Sequence, residues 1–146
     1  MKGVFLIHLA STWALVGLIW TIQVLHYPLF KQVGTAAFPA YHTTHNQRIT
    51  PLVLVLMLAE LLTALALVAE RPAAMPTWAA WLGMGLVGLI WFSTAFLQVP
   101  YHGQLSAGFS EEAHQNLVLS NWLRTLAWTA RGGLLMWVLW QWLRVS

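Results

Sequence analysis

"VFLIHLASTWALVGLIWTIQVL", residues Val4 to Leu25, contains no charged side chain and runs directly into "HYPLF", residues His26 to Phe30. About 20 mainly apolar residues suffice for an α-helix to cross the hydrocarbon core of a bilayer. Three further windows of this kind follow, near Pro51–Val68, Trp78–Leu97 and Leu117–Trp142. The composition agrees. In 146 residues, 59% of them hydrophobic, there are seven Lys plus Arg and four Asp plus Glu, far below the roughly one quarter charged of a soluble domain. The sequence therefore predicts one all-α integral membrane domain over residues 1–146, a four-transmembrane-helix bundle. Lys2 ahead of the first window imitates a secretory signal, but the apolar core is too long and no small-residue cleavage site follows, so a retained helix is expected.

Charge and cysteine content exclude several function classes. The net charge of +3 comes with no basic run suited to nucleic acid. With no cysteine there is no disulfide and no thiolate ligand, so any metal must be held by His, carboxylate or amide oxygen. Lys2, Arg71 and Arg144 fall on one side and Lys31 and Arg48 on the other. The positive-inside rule thus narrowly favours cytoplasmic termini in a multi-pass protein of the bacterial inner membrane. "ERPAAMPT", residues 70–77, reads as a tight turn between antiparallel neighbours. "KQVGTAAFPAYHTTHNQR" (31–48) and "YHGQLSAGFSEEAHQN" (101–116) read as the longer connections, both on the other side.

The end of the first window returns in altered form at the end of the third, as "QVLHYPLF" (23–30) and "QVPYHGQL" (98–105). In the first half the order is Gln23, His26, Tyr27, Phe38, His42, Asn46, Arg48; in the second it is Gln98, Tyr101, His102, Phe109, His114, Asn121, Arg124. The spacings drift, so this is a weak two-helix internal repeat, with polar groups expected to converge from both halves. At about 100° per residue, His8, Thr12, Gln23 and His26 fall on one stripe, and Thr94, Gln98 and His102 on another. In lipid such stripes must face the bundle interior. Gln23 and Gln98 lie about one turn inside His26 and His102, and their amides are expected to face each other across the bundle.

Two ionisable residues, Glu60 and Arg131, lie deep in their windows. They read either as a buried structural ion pair or as catalytic groups, with Glu60 a proton relay or a direct ligand. "YHTTH" places His42 and His45 at i and i+3, where two imidazoles can reach one metal. His26, His102 and His114 belong to the same membrane level, so His26, His42, His45, His102 and His114 are the candidate ligands for iron, copper or zinc. Gln23, Gln98, Glu60 and Glu111 are possible oxygen donors or supports. The alternative is haem b, with His26 and His102, or His42 and His114, as axial ligands and Arg48 and Arg124 meeting the propionates.

Trp78, Trp81, Trp137, Trp140 and Trp142 suit a headgroup belt, while Trp13, Trp20, Trp91, Trp122 and Trp128 sit deeper, filling space or lining a lipidic pocket. "GMGLVG", residues 83–88, suggests close helix packing. "EEAH", residues 111–114, suits the acidic first turn of the last helix.

The helix ending "HYPLF" and the four-span plan resemble small bacterial four-helix membrane proteins of unknown function, loosely the copper-resistance D-type and anthrone-oxygenase-like groups. The resemblance implies redox or metal handling as a class and carries over no catalytic residue. The reading reached is a His-rich non-haem metal site at the non-cytoplasmic end, serving an oxidoreductase on a small or lipid-soluble substrate. The alternatives are a haem b electron carrier exchanging with quinone and a small transporter or metal-binding module without catalysis. Homo-oligomerisation stays open.

Overall fold

The computed structural model describes residues 1–145, the side chain of Val145 excepted. The described residues form four helical rods and no strand: Lys2–Gln32, Phe38–Ala69, Thr77–Ser106 and Glu111–Val145. The first three are long and apolar enough to cross a membrane. All four run past the apolar windows that announced them. "YHTTHNQR" and "YHGQLS", read as loop from their polarity, are helical, and the connections at that end shrink to residues 33–37 and 107–110. The 32-residue second helix spans about 48 Å, longer than a hydrocarbon core of about 30 Å, so a helix long enough to cross a membrane has length to spare for polar first turns. In the second short connection Gly108 has φ +152°, which only glycine adopts without strain.

The first helix packs on the second and fourth, and the third on the same two, so first and third, and second and fourth, oppose each other diagonally. Two of these rods widen at matching places. Residues Ile22–His26 and Thr94–Gln98 are single π turns, closed by Tyr27 N–H to the Ile22 carbonyl and Val99 N–H to the Thr94 carbonyl. Each lies just before a proline, Pro28 or Pro100. Proline lacks the N–H for an α bond and its ring collides with the carbonyl four residues back, and the wider turn removes that collision. Gln23 and Gln98 sit in these turns.

The interior is layered. An apolar layer at the termini (Phe5, Leu67, Leu135, Val138), one at mid-height (Leu15, Met57, Ile90, Trp128) and one at the far end (Phe30, Phe38, Leu105, Leu117) enclose two polar layers. The outside is the reverse: Leu6, Val55, Leu62, Phe92, Phe96 and Leu119 are largely exposed. Apolar outside with hydrogen-bonded polar groups inside is the arrangement a bilayer favours.

The glycine with the closest neighbours across a helix contact lies outside the 83–88 run. A Cβ at Gly132 would lie 3.3 Å from Trp13 and Val16, so the first and fourth helices close there. Gly85 and Gly88 have open space, and Gly83 contributes its carbonyl, which accepts from Arg131 Nη1.

Candidate functional site

Four of the five predicted histidine ligands meet at the end away from the termini. His26 closes the π turn of the first helix, His42 and His45 lie one turn apart on the second, and His102 follows the π turn of the third. Nε2 of His26 lies 2.9 Å from Nδ1 of His45, and Nε2 of His42 lies 3.0 Å from Nδ1 of His102. The His42 and His102 rings stack with centroids 5.2 Å apart, and His45 lies about equally far from both, at 6.2 and 6.1 Å. Beyond these pairs, His102 Nε2 is 2.9 Å from the Tyr27 hydroxyl and His42 Nδ1 is 3.2 Å from Ser106 Oγ. As the rings stand, no three His, Asp or Glu side chains among the described residues surround one ion position.

His114 is elsewhere. Its Nε2 bonds the Tyr27 carbonyl at 2.7 Å, and its ring packs on Phe30 and Phe109. It serves the end of the first helix, where the chain tightens to 3₁₀ geometry at Phe30–Gln32 and carbonyls lose α partners. Its Nδ1 is buried without a partner. Of the residues named for haem, His26 is bonded to His45 and His42 to His102, and His114 stands apart from both. Arg48 is exposed, whereas Arg124 is buried.

The glutamines do not meet. Both turn to the fourth helix. Gln23 Oε1 accepts from Asn121 Nδ2 at 2.7 Å and Thr125 Oγ1 at 3.4 Å, while its Nε2 donates to the Val118 carbonyl at 3.2 Å. Gln98 Oε1 accepts from Ser93 Oγ at 3.0 Å, and its Nε2 donates to Ser120 Oγ at 3.1 Å. The π turns place each amide, and the hydroxyl and amide groups of the last helix are the nearer partners. Asn121 passes the first link on: its Oδ1 accepts from Arg124 Nε at 2.9 Å and also from Nη2. Arg124 Nη1 donates to Thr94 Oγ1 at 3.3 Å, and the guanidinium also interacts with the Tyr27 hydroxyl.

The second polar layer holds Glu60 and Arg131. Arg131 Nε donates to Glu60 Oε1 at 3.0 Å, with both side chains 1% exposed. Thr12 Oγ1 donates to the same oxygen at 2.7 Å, and Trp128 Nε1 to Oε2 at 3.0 Å. Arg131 Nη2 lies 3.0 Å from His8 Nε2. Since arginine only donates, Nε2 accepts and Nδ1 carries the proton toward Thr63 Oγ1, 2.7 Å away. Sequence reasoning placed His8 on the inward stripe but assigned it no role, and the stripe shared with Thr12 was the available signal.

Between the second and third helices lies a cavity of about 610 Å³, within the range of small-molecule sites. Its walls are mainly apolar, from Leu15, Ile19, Val53, Met57 and Trp128, with His45, His102, Gln98, Asn46 and Arg124 among the polar groups. Glu60 and Arg131 do not line it. Outside the spans, Glu111 bonds Lys31 Nζ at 2.5 Å, which is the main reason its carboxyl is held below the ordinary carboxylate value.

No family model matches the chain, and no curated protein or solved structure shows significant similarity to it.

Proposed function

We propose that the chain is a four-span integral protein of the bacterial inner membrane with cytoplasmic termini, built from a two-helix pseudo-repeat, that oxidises or reduces a lipid-soluble substrate bound in the cavity. The observation that carries this reading is the placement of imidazoles from three helices beside a large apolar cavity, with His45 and His102 in its wall. The paired π turns support the repeat, and the fourth helix completes the bundle with polar residues facing inward.

His26, His42, His45 and His102 suit a first-row metal by donor chemistry, since neutral imidazole binds iron, copper and zinc alike. Their contacts of 2.9 and 3.0 Å join them in two hydrogen-bonded pairs, which would have to open for the imidazoles to share one ion. When bound by these residues, a redox-active ion would supply one-electron chemistry. The chain's own contributions are separate. Tyr27 and His102 share a proton-carrying contact at the cavity wall, Gln98 and Arg124 present fixed polar groups, and the apolar walls exclude water.

Elemental analysis and an absorption spectrum of the purified protein test the reading. Stoichiometric iron or copper without a Soret band is expected. A Soret band would replace it with the haem carrier, and no metal retained after loading would leave a transporter or binding module.

A further inference from the structure

We infer that the cavity takes a single-chain amphiphile with a carboxylate head, paired with Arg124. The inference rests on the proposal that this cavity is the substrate site but not on the metal.

Arg124 is buried and has no carboxylate partner. The two ion pairs among the described residues are Lys31 with Glu111 and Arg131 with Glu60, and the latter occupies the only acid deep in the bundle. Arg124 is held instead by neutral acceptors, Asn121 and Thr94, with the Tyr27 hydroxyl beside it. A guanidinium withdrawn from water without a counter-charge is costly, and an anion brought to it recovers part of that cost. The cavity thus holds a cation with no acid among its lining residues. A carboxylate supplies two acceptor oxygens and one negative charge.

The rest of the wall specifies the tail. Leu15, Leu18, Ile19, Val53, Leu54 and Met57 are apolar, and the volume of about 610 Å³ fits one drug-sized or single-chain molecule. Depth separates a carboxylic acid from a phospholipid. Arg124 lies 13 residues into a helix that begins at Glu111, about 20 Å along its axis. A carboxylic acid reaches that depth neutral and pairs after its proton leaves to solvent. A phosphodiester stays charged throughout and is fully desolvated on the way.

The test is equilibrium binding of radiolabelled palmitate to the full chain in phosphatidylcholine nanodiscs, with unlabelled competitors and metal content measured on the same samples. Palmitate should compete at least about tenfold better than methyl palmitate or phosphatidylglycerol, as expected for a charge-assisted hydrogen bond. Arg124→Gln should lower palmitate affinity by a similar factor, and Arg124→Lys should keep most of it. Equal competition by the ester or by phosphatidylglycerol in the wild type would overturn the inference without reliance on any variant's folding, as would the absence of saturable binding. If wild-type protein retains no metal after loading yet binds palmitate saturably, the carboxylate site stands and the metal-dependent reaction fails.

Discussion

Arg131 Nε and Glu60 Oε1 meet at 3.0 Å across the diagonal between the second and fourth helices, each side chain 1% exposed. The carboxylate also takes bonds from Thr12 and Trp128, and the guanidinium from the opposite side reaches the Gly83 carbonyl and His8. All four helices therefore contribute to one polar layer, and the partners are satisfied within it. This supports a role in docking the helices.

Glu60→Gln should be strongly destabilising, by about 3–5 kcal/mol, because a buried arginine is left without its counter-ion. Glu60→Gln combined with Arg131→Gln should recover part of that loss. Reversible unfolding in mixed micelles measures the cycle, and a coupling of zero would mean the pair contributes nothing jointly.

His8 tests whether the layer extends to the first helix. His8→Leu strands Arg131 Nη2 and the Thr63 hydroxyl from their shared partner, an expected loss of about 1–3 kcal/mol. Stability equal to wild type would show that water or rotation repairs both contacts.

Gln23 acts on Arg124 through Asn121. Gln23→Leu should lower palmitate affinity more than Gln98→Leu does, since Gln98 bonds Ser93 and Ser120 and does not touch Asn121. If both variants bind as wild type while losing similar stability, the glutamines serve packing alone.

The Lys31–Glu111 bridge joins the end of the first helix to the start of the fourth at the histidine end, but its side chains are 47% and 51% exposed. Such pairs contribute little and are screened by salt. Because the folded-state carboxyl of Glu111 is depressed, its contribution is present above the ordinary carboxylate range and lost as pH falls through the folded value. A small acid-side change in thermal midpoint that vanishes in Glu111→Gln and in high salt is expected. A large, salt-insensitive change would contradict it.

The helices were legible because charges are scarce enough to outline four windows; the inward stripes placed Gln23 and Gln98, and position deep in a window placed Glu60 and Arg131, and all four are buried. The helix ends were not legible, because polarity in "YHTTHNQR" was read as loop when it marks only where the helix leaves lipid. Periodicity states which face a residue occupies but not its partner. It therefore missed that Gln23 and Gln98 turn to the fourth helix, that His114 bonds a carbonyl behind Phe30, and that His8 completes the Arg131 layer. The π turns shift the phase of both polar stripes, which a constant 100° projection cannot register.

Metal stoichiometry in three purified forms tests the central proposal most directly: wild type, His42→Ala with His45→Ala, and His114→Ala. Wild type and His114→Ala should hold equal iron or copper, since His114 is committed to the Tyr27 carbonyl, while the double variant should lose most of it and remain folded. Unchanged metal in the double variant, or equal loss from His114→Ala, would contradict a site built by the four clustered imidazoles.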